Sequence, residues 1–174
     1  GVETSIQIAD QTGIHTVSIS GGEPTLFPRR LMDTLKQLST AKKNDGEPIF
    51  DMIALHTQGT MLLKNIDLDG EMMPLATALG RLGLTHISIS RVSADEEIDR
   101  TVRRMNKGLS NDNLKHAIHL LQAGGTDVRL YCELLPDITD IADMVNFAKE
   151  LGVTKVLFSE LFNINGLHDE KRIT

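Results

Sequence analysis

Three segments of the chain can be laid over one another: "GIHTVSIS" at 13–20, "GLTHISIS" at 83–90 and "GVTKVLFS" at 152–159. Each opens on glycine, alternates apolar with polar residues and ends on serine. A looser copy, "GTDVRLYCELL", occupies 125–135. Such self-similarity means that one structural unit is used several times. The opening glycines at 13, 83 and 152 suit the position just past a helix, where glycine enters the left-handed region without steric penalty. Apolar residues at helical spacing precede the segments: Ile6 and Ala9, then Leu31, Leu35 and Leu38, then Leu75, Ala78 and Leu82. Further on, Leu114, Ile118 and Leu121 form one such stripe, and Ile141, Met144, Val145 and Ala148 another. In "SNDNLKHAI" either Ser110 or Asn111 supplies the N-cap. "IFDMIALHT" (49–57) follows the turn-rich "KKNDGEP" and reads as one more strand. Helix and strand in alternation predict a parallel sheet covered by helices.

The alternation within each strand selects between two such sheets. Val17 and Ile19 oppose Thr16, Ser18 and Ser20; Ile87 and Ile89 oppose His86, Ser88 and Ser90. A doubly wound sheet carries helices on both faces and is apolar on both. One apolar face and one small, polar face instead predict a curled sheet with a polar lumen. The expected fold is α/β, a partial (β/α) barrel with a parallel sheet and outer helices. The chain begins on a helix, "GVETSIQIAD", where such a barrel begins on a strand, so its first strand is expected to be missing.

Composition narrows the function. The 174 residues carry a net charge of −6, which argues against a duplex-binding surface. Aromatic residues make up 3% and tryptophan is absent, a poor basis for stacking single-stranded bases. A single cysteine, Cys132, excludes an internal disulfide and fits a reducing, cytoplasmic setting. No segment reads as a membrane span or a secretory signal.

Ligands of parallel βα folds sit at the carboxyl ends of the strands. There the chain places Gly21-Gly22-Glu23-Pro24, His56-Thr57-Gln58-Gly59-Thr60, Ser90-Arg91-Val92-Ser93, Tyr131-Cys132-Glu133 and Ser159-Glu160. Two glycines let backbone approach a ligand closely, Glu23 offers acceptor oxygens, and Pro24 fixes the exit of the chain. A carboxylate in this corner is the wrong charge for a phosphate cradle, so the expected ligand group is cationic. His56 and Gln58 are candidate substrate contacts. His116 and His119 share a helix face, but no carboxylate at ligand spacing completes a metal site. "DRTVRRMNKG" (99–108) reads as a solvated basic face, or as a contact for an anionic substrate or partner.

"SISGGEPTLF" (18–27) resembles the GGEP segment of the radical S-adenosylmethionine (SAM) superfamily, which closes the second strand of a partial (β/α)6 barrel. "HTQGTMLL" (56–63) is similar to the family's T-N-G-x-L-L segment, with Gln58 in place of Asn. "ISISRVSADEEIDRTVRRMNKG" (87–108) resembles the fourth strand and its loop. "VRLYCELLP" (128–136) and "VLFSELF" (156–162) resemble the fifth and sixth strands of the branch that contains cyclic pyranopterin synthase and the peptide-modifying maturases. The resemblance implies a barrel core over 1–162, with 163–174 as a linker or the start of a further region. It implies SAM as cofactor, bound through Gly21, Gly22, Glu23 and Pro24 at the methionyl ammonium. Ser88, Ser90, Arg91 and Tyr131 match positions that hold ribose and carboxylate; Phe158, Ser159 and Glu160 match those beside adenine. Arg91 would pair with the methionine carboxylate, or with Asp95 or Glu96 at the surface. A [4Fe-4S] iron–sulfur cluster, a small-molecule or peptide substrate, and an electron donor such as flavodoxin or ferredoxin are also implied.

The chain departs from the family in one large respect. Three thiolates in C-x3-C-x2-C hold the cluster in the family, and no such motif occurs here, so no metal ligand is assigned in this chain. Cys132, by alternation with Tyr131 and Glu133, is expected to face the helices as a buried apolar residue. Truncation would remove the first strand and the cysteines together, leaving 1–174 unable to cleave SAM reductively. The alternatives are a degenerate barrel that binds SAM or a partner without radical chemistry, and a metal-free barrel lyase or isomerase. The last requires a lysine or carboxylate pair at strand ends, and Lys155 lies too early in its strand.

Overall fold

The computed structural model describes residues 1–104 and 108–160. Helix α1 (Val2–Thr12) leads into strand β1 (Thr16–Ile19), and α2 (Pro28–Thr40) into β2 (Met52–Thr57). A hairpin of β3 (Asn65–Leu68) and β4 (Glu71–Pro74) precedes α3 (Leu75–Arg81) and β5 (His86–Arg91). Then come α4 (Glu96–Val102), α5 (Asn111–Ala123), β6 (Asp127–Leu134), α6 (Ile141–Glu150) and β7 (Lys155–Glu160). The expected strand at 156–162 is thus seen as far as Glu160; its end and the expected linker 163–174 lie outside the described residues.

Five strands form one parallel sheet in the order β1-β2-β5-β6-β7. The order never reverses. Doubly wound sheets reverse at a switch point, whereas right-handed crossovers in a single direction stack every helix on one face. The other face is left bare, which is the arrangement of a partial barrel. Register fixes which residues share it. Thr16 and Ser18 on β1, Ala54 and His56 on β2, and His86, Ser88 and Ser90 on β5 lie side by side. Arg129 and Tyr131 on β6, with Lys155 and Leu157 on β7, continue the same lumen face.

The opposite face is the core. Leu55, Ile87, Ile89, Leu130 and Cys132 are fully buried there against Leu35, Leu79, Leu114, Ile118, Leu121 and Met144 from the helices. Each aliphatic side chain of this kind contributes roughly 1.5–3 kcal/mol by leaving water. Ser110 is the N-cap of α5, its hydroxyl accepting from Asn113 N at 3.2 Å.

The antiparallel hairpin is a finding that periodicity did not predict. Its tip, Asp69-Gly70, has φ of 53° and 90°, the pair of left-handed residues that a two-residue hairpin turn requires. "LDGE" carried that signal, but a four-residue strand on each side is too short to show alternation.

Gly83 has φ of 87°, and a Cβ placed on it would stand 2.9 Å from Ser39 Cβ. Gly152, with φ of 75°, has nothing within 4 Å of its virtual Cβ. Gly83→Ala is therefore expected to destabilise by about 2–3 kcal/mol, from left-handed strain plus overpacking. Gly152→Ala is expected to lose only about 1–2 kcal/mol, from strain alone. Urea unfolding of the two variants measures the difference; equal losses would show that α2 yields freely at Ser39.

Candidate functional site

The turn after β1 is built from backbone that only glycine adopts easily. Gly21 and Gly22 have φ of 100° and 56°, with no atom within 4 Å of either virtual Cβ. Pro24 then starts a short 3-10 turn, Pro24–Leu26, and Glu23 caps it by accepting from Thr25 N at 3.0 Å. A cavity of about 410 Å³ borders the turn on the α2 side, reaching Phe27, Arg30 and Thr34.

Glu23 does more than cap. Its Oε1 also accepts from the hydroxyls of Thr25 at 2.6 Å and Thr57 at 2.5 Å, and its Oε2 accepts from Gln58 N at 2.6 Å. Thr57 Oγ1 in turn accepts from Gly59 N at 2.9 Å. One carboxylate thus joins the end of β1 to the end of β2. A carboxylate has about four acceptor positions, and Oε2 takes only one of these donors. Sequence reasoning found Glu23 but not its partners, and it placed Gln58 as a substrate contact where the structure uses its backbone N–H.

Arg91 requires a correction. It lies in register with the core-facing residues of β5, only 3% exposed, and its Nη1 donates to Asp99 Oδ2 at 2.7 Å. Its Nη2 donates to the Leu109 carbonyl at 3.0 Å. Neither expected partner pairs with it: Asp95 caps α4, accepting from Glu97 N and Ile98 N, and Glu96 accepts from Asn111 N. Alternation turns Arg91 into the core side, where its charge is neutralised by Asp99. The same carboxylate binds Arg103 Nη1 at 2.9 Å and Val92 N at 2.8 Å. Burial pulls the Arg103 guanidinium below its ordinary pKa, and Asp99 opposes that shift. The expected solvated face at 99–108 is therefore buried at Asp99 and Arg103; residues 105–107 lie outside the described residues.

The other expected residues divide by face. Ser88, 1% exposed, accepts from Arg129 Nε at 2.5 Å, while the Ser90 carbonyl accepts from Arg103 Nη1 at 2.6 Å. His56 and Tyr131 are half-buried on the lumen face, as is Ser159. Phe158 faces the other way and packs on the core, and Glu160 is exposed. Arg129 escaped sequence reasoning although alternation with Tyr131 and Glu133 puts it on the lumen face. Lys155 pairs with Asp127, which also lies 3.4 Å from His86 Nε2, near the opposite mouth of the strands.

No protein-family model matches the sequence. A probable GTP 3',8-cyclase of Thermoplasma volcanium is 30% identical over 152 residues, 86% of this chain and 40% of that protein. The chain thus spans about two-fifths of the relative's length. In three dimensions it superposes on SuiB of Streptococcus suis with a TM-score of 0.62 at 15% identity, over 95% of this chain and 34% of SuiB. SuiB has been solved with S-adenosylmethionine and with its precursor peptide SuiA. The radical S-adenosylmethionine methyltransferase TsrM of Kitasatospora setae, solved with cobalamin and a [4Fe-4S] cluster, gives a TM-score of 0.59 at 13% identity, over 94% of this chain and 30% of TsrM. The chain has the fold of radical SAM enzymes, and its sequence is similar to a GTP 3',8-cyclase. These structural likenesses carry the fold, and the radical SAM core explains why the GGEP turn, the polar face and the sequential strand order occur together. Among the described residues no helix is long and apolar enough to cross a membrane.

Proposed function

We propose that this radical SAM core binds S-adenosylmethionine at the carboxyl ends of its strands, with the methionyl ammonium at the Gly21–Pro24 turn. The observation that carries the reading is Glu23: a carboxylate held by four donors, with capacity left on Oε2, beside two glycines whose backbone is bare. A fixed anion next to unobstructed carbonyls is complementary to an ammonium. Ser88, Ser90 and Tyr131 line the lumen face that the adenosyl group would cross, and the strand end at Phe158–Glu160 would border adenine. In the whole protein SAM would be cleaved reductively to a 5'-deoxyadenosyl radical that takes hydrogen from a small-molecule or peptide substrate, with an electron donor such as flavodoxin or ferredoxin.

The residues of this chain do not fit the [4Fe-4S] cluster. The single cysteine, Cys132, is fully buried on the core side, and burial, with Asp99 nearby, pushes its thiol up to about 12. A cluster ligand is a thiolate, so Cys132 is in the wrong state and place, and no step through the cluster is derived. The alternative reading is a barrel that binds SAM without radical chemistry. Calorimetric titration with SAM tests the site common to both. Saturable binding is expected in the wild type and a loss of about tenfold or more in Glu23→Ala, as for a lost hydrogen bond to charge. Equal affinity in the two proteins would overturn the assignment.

A further inference from the structure

Thr57 is a polar side chain, 4% exposed, at the end of β2 on the side of the sheet that faces the core. Its one hydroxyl proton goes to Glu23 Oε1 at 2.5 Å, because its oxygen already accepts from Gly59 N at 2.9 Å. Of the donors on Oε1, the other two come from Thr25, two residues from Glu23 on the same turn. They move with the turn. Thr57 is 34 residues away on another strand, and it is the side chain that fixes the carboxylate relative to the sheet. With three donors on Oε1 and one on Oε2, the rotation of the carboxylate is set, and Oε2 is the oxygen with acceptor capacity to spare.

We propose that Thr57 is a positioning residue for the ammonium group of SAM, acting through Glu23 without touching the ligand. This inference rests on the SAM reading above. Oxygen and hydrogen at Thr57 serve orientation; a methyl in place of the hydroxyl leaves Glu23 charged but tied to β2 only through Gln58 N on Oε2.

Thr57→Val and Thr57→Ser, compared with the wild type, test it with two ligands. SAM carries the ammonium; 5'-methylthioadenosine keeps the adenosyl half and lacks the whole amino-acid end. Thr57→Val is expected to weaken SAM about tenfold while leaving methylthioadenosine within about twofold, and Thr57→Ser is expected to restore SAM affinity, since the missing bond is one to a charged group. Equal weakening of both ligands, or unchanged SAM affinity in Thr57→Val, would overturn the inference. If the wild type itself fails to bind SAM, the SAM reading falls and the ammonium role falls with it; normal wild-type binding with an unaffected variant removes the inference alone. Amide exchange in the ligand-free protein gives a second readout. The Thr25 and Gln58 N–H groups, which bond to Glu23 rather than to Thr57, are expected to exchange about tenfold faster in Thr57→Val and at wild-type rates in Thr57→Ser. Unchanged exchange in Thr57→Val would show that Thr57 does not hold Glu23.

Discussion

Asp99→Ala is expected to lower the free energy of unfolding by about 3–5 kcal/mol, the usual result of stripping a buried charge of its partner. Asp99 is 1% exposed and is the shared acceptor of Arg91, Arg103 and Val92 N. Two guanidinium groups already share one carboxylate. Removing it leaves both buried, with side-chain exposures of 4% and 8%, and leaves a backbone donor unpaired. The total stability of a domain is typically about 5–15 kcal/mol, so the variant should unfold early in urea. Asp99→Asn keeps one acceptor and should fall between. Replacing all three side chains by apolar ones should be milder than Asp99→Ala, because no charge is then stranded. A loss below about 1 kcal/mol in Asp99→Ala, the range of exposed pairs, would mean that water reaches the guanidinium groups and the triad does not hold the β5–α4 connection.

Where sequence and structure agree, the cause is local and repeated. The opening glycines mark helix ends through their own backbone freedom, and strand alternation survives because one face is buried and the other is not. Five parallel strands and the polar lumen followed from those two facts. The misses are non-local. Arg91 reads as a strand-end cation, yet its partner lies one helix further on, at no spacing that a helix or strand rule flags. Glu23 reads as an open carboxylate because Thr57 and the Gln58 backbone reach it only once β1 and β2 pair in parallel. Register decides that pairing, and register is a property of two segments together. The hairpin at 65–74 failed for a third reason: its turn chemistry was present, but its strands were short.

Glu23→Gln is the sharper companion to Glu23→Ala because it preserves shape and removes only charge and one acceptor. The amide oxygen can still meet Thr25 and Thr57, but the NH2 then stands where Oε2 accepts from Gln58 N at 2.6 Å, placing donor against donor. With the amide turned over, the NH2 would meet three donors instead of one. Either orientation strands a donor, so Glu23→Gln is expected to lose about 1–3 kcal/mol of stability. Truncation to alanine leaves a gap in a turn whose Glu23 is half-buried, through which water can reach the freed donors. The isosteric variant should therefore be no more stable than the truncated one. SAM binding should fall by about tenfold to a hundredfold in Glu23→Gln, since a charge-assisted bond to the ammonium is lost. Unfolding midpoints and calorimetry on the same preparations separate the two effects. If Glu23→Gln is as stable as the wild type and binds SAM equally well, the four donors do not require a carboxylate and the ammonium does not use it.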